Sequence, residues 1–282
     1  MTSSDPFHRD ILFSRMLGIV SQEELDRLGT FTIAVPGCGG VGFTHAEALV
    51  RMGIGGIRIA DFDEFGPENF NRQFGATIHT VGRSKAEVLK ERLLSINPAL
   101  RIRVFDGVST ETIDDFLDGV DMVCDAMDYF VIQPRRLMYA EARRRNLPVV
   151  VAGPIGFGAT VHLFEPDGMS FDSFFDLHDD QDEEEMLINF GLGLNPAQLH
   201  RHYMTDPKLD FEARKVASVS ASCLLATTLS TSTAIRRLLG HPISFRPVPW
   251  VQQIDYVAGA FVQIDTDQGV TSIRQAPARY IR

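Results

Sequence analysis

The residues best suited to chemistry begin with the run Gly37-Cys-Gly-Gly-Val-Gly42, which matches G-x-G-x-x-G at Gly37, Gly39 and Gly42, with Gly40 beside them. Glycines between a strand and a helix let the backbone approach a phosphate closely. The amide N–H groups and the positive end of the helix then face the anion. Asp61 closes the next apolar run, Ile57-Arg-Ile-Ala60, where an acid accepts hydrogen bonds from ribose hydroxyls. These features call for a nucleotide, and by themselves leave a dinucleotide and ATP equally open.

The residues after Asp61 separate the two. Asp61-Phe-Asp-Glu-Phe-Gly-Pro-Glu-Asn-Phe-Asn-Arg-Gln73 is followed by Gly82-Arg-Ser-Lys85. A dehydrogenase has no need of Asn69, Arg72 and Gln73 with a lysine downstream. A triphosphate that gathers negative charge in its transition state does. Lys85 falls in the first turn of its helix, where the macrodipole disfavours a cation by a few tenths to ~1 kcal/mol. An anion held between lysine and helix end reverses that penalty. Asp128, in Cys124-Asp-Ala-Met-Asp128, stands just past an apolar strand, on the edge where open α/β sheets bind ligands.

The elements that must position these groups follow from the punctuation of the chain. Thr32–Pro36, Ile57–Ala60, Arg101–Phe105, Asp121–Cys124 and Pro148–Ala152 read as short strands. Helices are expected from Phe43 to Met52, stopped by Gly53, from Ser84 to Asn97, and from Pro134 to about Asn146. Ser84 and Glu87 form a capping-box signature. Such alternation predicts an α/β fold, a doubly wound, Rossmann-like and mostly parallel sheet through about residue 152. Thr160–Glu165 reads as an antiparallel strand. Roughly fifty polar and aromatic residues without clear periodicity follow it. Val216–Leu239 reads as a long helix of small residues, and Trp250–Asp265 as a hairpin turning near Ala258-Gly259. No linker divides the chain, so residues 1–282 are expected to form a single domain. Its nucleotide-binding core is 1–152, and 153–282 is an antiparallel C-terminal extension on the substrate side.

With these motifs the sequence resembles the ThiF/MoeB-like adenylyltransferases, relatives of the ubiquitin-activating enzymes. The resemblance runs from about Phe13 to Glu165, with a weaker echo in the long helix and the final hairpin. It implies an enzyme that binds ATP and attacks its α-phosphorus with a substrate carboxylate, giving an acyl-adenylate and pyrophosphate. The resemblance would have Asp61 hold the ribose and Asn69, Arg72 and Gln73 order the phosphates. Lys85 would stabilise charge at the reacting phosphorus, and Asp128 would hold Mg²⁺. Asp63 belongs to the same loop, as a nucleotide contact or a brace. The resemblance also implies a homodimer in which Arg15, in Phe13-Ser-Arg-Met-Leu-Gly18, reaches the partner's triphosphate. The carboxylate would belong to a peptide, a small protein or a small molecule.

Other features bound the reading. Many relatives carry Cys-x-x-Cys pairs for structural zinc and a cysteine that takes the acyl group. Here Cys38, Cys124 and Cys223 are scattered, so neither structural zinc nor an enzyme thioester is expected. With 27 Lys+Arg against 37 Asp+Glu the net charge is −10, which disfavours a nucleic-acid partner. No apolar run reaches the ~20 residues of a membrane span, and a cytoplasmic location is expected. Arg135, Arg136, Arg143, Arg144 and Arg145 read as the exposed side of one helix. The acidic run Asp179–Glu185 reads as a solvated face or loop, and Gly153–Gly158 as the substrate end of the pocket. An NAD-dependent oxidoreductase and a non-catalytic nucleotide-binding module are the competing functions.

Overall fold

The protein is described from a computed structural model covering residues 6–204, 209–210 and 214–276. Two short helices, α1 (Arg9–Leu12) and α2 (Gln22–Thr30), lead into the alternating core. That core runs β1 (Thr32–Pro36), α3 (Gly40–Arg51), β2 (Gly56–Ala60), α4 (Lys85–Ile96), β3 (Arg101–Phe105), α5 (Ile113–Leu117), β4 (Met122–Asp125), α6 (Ile132–Arg144) and β5 (Val149–Ile155). The second half adds β6 (Gly158–Phe164), α7 (Phe171–Phe175), α8 (Glu183–Leu194), the two-residue strands β7 (Leu209–Asp210) and β8 (Lys215–Val216), α9 (Ser220–Leu239), β9 (Trp250–Asp255), β10 (Ala260–Asp265) and α10 (Val270–Gln275).

Eight strands form one sheet in the order β10-β9-β6-β5-β4-β1-β2-β3. β1 to β5 pair in parallel, whereas β5–β6, β6–β9 and β9–β10 are antiparallel. The strand order reverses between β1 and β4, and open α/β sheets form their ligand crevice beyond such a switch point. The glycine turn follows β1 and the Asp128 turn follows β4, so both border that crevice.

Alternate residues of each strand feed two cores. Ile33, Val35 and Leu163 pack with Leu25 and Leu28 of α2, Leu49 of α3, Leu89 of α4 and Ala226 and Ala234 of α9. Ala34, Val123 and Val151 face Phe116, Met138, Phe174 and Phe190 on the other side. The small residues of α9 let it lie against α3, where Thr44 and Thr227 share a 2.6 Å hydroxyl contact. Two histidines are enclosed in these layers, His45 on α3 and His162 on β6. Burial pushes both down to about 4, so they are neutral near pH 7.

The structure corrects three expectations. The stretch after β6 is not irregular, because it contains α7 and α8. Met186, Leu187, Phe190 and Leu194 of α8 are buried, while Asp182 caps its N-terminus and Glu183, Glu184 and Glu185 occupy its first turn. The acidic run is therefore largely a helix start that complements the macrodipole. α2, absent from the sequence reading, is opened by a complete capping box between Ser21 and Glu24. The long helix begins at Ser220 rather than Val216, after the short strand β8.

Candidate nucleotide site

β1 ends in a turn that only glycine can form at two of its positions. Gly37 has φ +92°, and a β-carbon there would collide with the Ala126 carbonyl at the end of β4. A β-carbon at Gly42 would collide with the Gly37 carbonyl. Gly39 and Gly40 differ. A β-carbon at Gly39 would lie 3.5 Å from the Gln73 amide, and one at Gly40 would lie 3.2 Å from Cys223 Sγ. These two glycines face the neighbouring side chains of the crevice, and the pair outside them holds the turn closed. Gly39 is the N-cap of α3 and supplies no side-chain cap, so the first N–H groups of the helix are presented to the crevice.

Asp61, at the end of β2, fastens this turn. Its Oδ2 accepts the Cys38 N–H at 2.6 Å and its Oδ1 accepts the Asp63 N–H at 2.8 Å. Burial raises its pKa, against the pull of those two hydrogen bonds and of Lys85. Lys85 is the first residue of α4 and only 7% exposed. Its Nζ donates to Asp63 Oδ2 at 2.8 Å, and its backbone N–H donates to the Asp63 carbonyl at 2.9 Å. Ser84 caps the helix by accepting the Glu87 N–H. The structure thus places a nearly buried ammonium group beside the glycine turn and the ribose acid, with Asp63 as its counter-charge.

The 69–73 segment closes another side. Asn69 Oδ1 accepts the Gly66 N–H at 3.0 Å, and its carbonyl accepts the Arg72 and Gln73 N–H groups. Asn69 therefore shapes the loop. Arg72 is half-buried, with Nη1 donating to the Glu68 carbonyl at 3.2 Å and to Asn71 Oδ1 at 3.0 Å. Gln73 is buried against Gly39, and its Oε1 has no hydrogen-bond partner. A buried amide left unpaired costs about 1–3 kcal/mol, so this group calls for a ligand. Its oxygen suits a hydroxyl or amino donor, and a flip of the amide would present the NH₂ to a phosphate.

Asp128 is exposed on the turn after β4, where its Oδ1 accepts the Phe130 N–H at 3.0 Å. Arg15 is exposed in the short 3₁₀ turn Ser14–Met16 and makes no hydrogen bond or ion pair with these residues among the described ones. Two of the arginines expected on the exposed side of α6 are not there. Arg135 is 2% exposed and lies beneath the Asp128 turn, and Arg136 is turned inward to Asp172 and Asp179 at 2.8 Å each. The signal for Arg135 was the acid Asp125 ten residues earlier, whose own burial in β4 requires a partner.

All three thiols are buried, and burial raises each pKa, to about 12 for Cys124. No group of three or more metal-ligating side chains occurs among the described residues, nor is any of their helices long and apolar enough to cross a membrane.

Gly153–Ile155 continue β5 instead of forming a loop, and pair with β6 across the two-residue turn Gly156-Phe157, which Tyr203 fastens. Its hydroxyl accepts the Phe157 N–H at 2.8 Å and donates to Asp255 at 2.6 Å. Beside it a chain of donors has a single direction. The Ala197 N–H fixes Gln253 Oε1 as an acceptor, so Gln253 Nε2 donates to Asn195 Oδ1. Asn195 Nδ2 then donates to His200 Nδ1 at 2.8 Å, leaving the ring proton on Nε2. Burial lowers the His200 pKa, which keeps the neutral ring.

Comparison with known proteins gives the family and the fold. Residues 13–277 match the ThiF family model. The tRNA threonylcarbamoyladenosine dehydratase of Escherichia coli (strain K12) is 40% identical over 126 residues, covering 44% of this chain and 46% of that protein. The sulfur carrier protein adenylyltransferase of Thermus thermophilus is 30% identical over 165 residues, covering 58% and 55%. The chain spans about half the length of these curated relatives. The crystal structure of Escherichia coli MccB with ATP shares the fold, with TM-score 0.65 and 20% identity over 95% of this chain and 72% of that one.

Proposed function

Because the chain belongs to the ThiF family, we propose that it binds ATP at the glycine turn and uses it to adenylate a carboxylate. The observation that carries this reading is a nearly buried Lys85 that acts on Asp61 and Cys38 of the glycine turn, together with a buried Gln73 whose Oε1 has no partner and whose amide lies against Gly39. A dinucleotide needs the turn and Asp61, but not an ammonium group held against the helix start. The site has the parts that phosphoryl-type transfer requires, which are positioning and fixed positive charge.

In this reading Asp61 keeps its two backbone hydrogen bonds and accepts from the ribose hydroxyls with its remaining lone pairs. The N–H groups of Gly39, Gly40 and Gly42 meet the phosphates, ordered by Arg72 and Gln73 on a loop that Asn69 shapes. A carboxylate oxygen of the substrate attacks the α-phosphorus. The bond from that phosphorus to the bridging oxygen breaks, and pyrophosphate leaves with the electron pair. Lys85 stabilises the charge that builds up on the α-phosphoryl oxygens, with Asp63 setting its position. Asp128 fits Mg²⁺, since its second oxygen is not used in a hydrogen bond among the described residues and a nucleotide-borne Mg²⁺ takes only one or two carboxylates besides phosphate. The ion would supply charge neutralisation on the phosphates.

The acyl donor is a peptide, small protein or small molecule with a free carboxylate. The acyl group passes directly to its nucleophile, because the three thiols are buried and protonated. The net charge of −10 speaks against a long polyanion such as tRNA as the substrate. The working form is a homodimer with Arg15 contributed across the interface. Titration calorimetry with ATP·Mg²⁺ and with NAD tests the reading: ATP·Mg²⁺ should bind saturably and NAD should not. Tight NAD binding without ATP binding would establish the oxidoreductase reading instead.

A further inference from the structure

The turn that carries Asp128 is wound around a single buried guanidinium. Arg135 Nε donates to Asp125 Oδ2 at 2.9 Å, at the last residue of β4. Its Nη2 donates to the Met127 carbonyl at 2.6 Å and to the Asp128 carbonyl at 3.1 Å, and Nη1 reaches the Val131 carbonyl at 3.5 Å. Asp125 Oδ1 meanwhile accepts the Met127 N–H at 3.0 Å, and Tyr139 Oη donates to Asp125 Oδ2 at 3.1 Å. The guanidinium carbon stands 4.6 Å from the centre of the Phe190 ring of α8. Every acceptor except the carboxylate is a main-chain carbonyl between residues 127 and 131, so the arginine fixes the path of the turn rather than a neighbouring helix.

We infer that Arg135 is a positioning residue for Asp128. It draws the carbonyls of residues 127 and 128 inward, which leaves the Asp128 side chain on the outer, crevice side of the turn. A buried ion pair is a poor source of stability against an apolar replacement, but its directional fork can hold one backbone path. Lysine keeps the charge and reaches one or two acceptors, yet it cannot serve a carboxylate and successive carbonyls at once. The inference rests on the proposed role of Asp128 toward Mg²⁺, and it assigns to Arg135 no contact with nucleotide.

Titration of ATP in the presence of Mg²⁺ and in the presence of EDTA gives the factor by which the metal tightens binding. Asp128→Asn should abolish most of that factor. Arg135→Lys should reduce it about tenfold, the scale of one charge-assisted hydrogen bond, while ATP affinity in EDTA stays within about twofold of wild type. Tyr139→Phe loosens the same buried carboxylate without touching the turn, and should keep the full factor. If Arg135→Lys does not fold, the neutral pair Asp125→Asn/Arg135→Gln takes its place with the same expectation. A full metal factor in a folded Arg135 variant, beside its loss in Asp128→Asn, overturns the inference alone. Equal losses in the Arg135 and Tyr139 variants overturn it as well, reducing both residues to general stabilisers. A full factor in Asp128→Asn removes the metal role of Asp128 and this inference with it.

Discussion

Replacing Lys85 by methionine separates folding from chemistry at one atom. The lysine stem is buried and its Nζ meets Asp63 at 2.8 Å, but the Asp63 side chain is 54% exposed. Methionine fills the space of the stem, and Asp63 returns to water. An ion pair open on one side contributes roughly 0–1 kcal/mol after screening, so the folding loss should stay within ~1 kcal/mol. The effect on the reaction should be much larger. A unit charge ~4 Å from developing negative charge, at an effective dielectric of ~20, interacts by about 4 kcal/mol. Loss of a preorganised contact of this type costs ~3–4 kcal/mol of barrier, or roughly 10²–10³ in rate. Lys85→Met should therefore bind ATP within about tenfold of wild type while substrate-dependent pyrophosphate release falls by roughly two to three orders of magnitude. Urea unfolding, ATP titration and pyrophosphate release on one preparation measure the three quantities. A rate within about threefold of wild type would refute the role given to Lys85. So would a rate loss matched by an equal loss of ATP affinity, since that is uniform binding.

The histidines give a pH test. His45 and His162 titrate at about 4 in the folded chain, so neutral rings contribute stability that is present above about 6.5 and lost as pH falls toward 4. Each should cost up to ~1.4 kcal/mol per pH unit in that window, and urea midpoints that do not fall between pH 7 and 5 would contradict this. The chain of donors ending at His200 should keep its proton on Nε2, which ¹⁵N NMR of the ring reads directly; an Nδ1–H form would mean the order of that chain is reversed. Replacing Cys38, Cys124 and Cys223 together by alanine should leave adenylate formation measurable, and mass spectrometry should find no thioester on the wild-type chain. If Arg15 acts across a dimer, mixing inactive Arg15→Ala and Lys85→Met protomers should restore about a quarter of the wild-type sites, because half the dimers are mixed and one of their two sites is intact; no recovery on mixing would remove Arg15 from the partner's site.

How much of this was legible depended on how local each cause is. The glycine turn, Asp61 and Lys85 are fixed by short-range rules, and the structure ties Asp61 to the turn through the Cys38 N–H and Lys85 to the same loop through Asp63. Cys223 approaches Gly40 through a helix far along the chain, which no spacing reveals. Arg135 looked like one of five surface arginines because its burial depends on Asp125, Tyr139 and Phe190, which come from three elements. α8 was hidden because its acidic start resembles a solvated loop and its apolar residues go nearly all round it. α2 was missed, although the spacing of Ser21 and Glu24 carries the capping-box signal that marks its start.

The most direct test of the central claim follows both ends of the triphosphate. ATP labelled at the α- and γ-phosphorus is incubated with the chain, Mg²⁺ and peptides or small proteins bearing a free C-terminal carboxylate. Adenylation should place the α label on the carboxylate as an acyl-adenylate and release the γ label as pyrophosphate. Appearance of the γ label as orthophosphate or on the substrate, with the α label retained in ADP, would contradict the account, because attack would then have fallen on the terminal phosphorus.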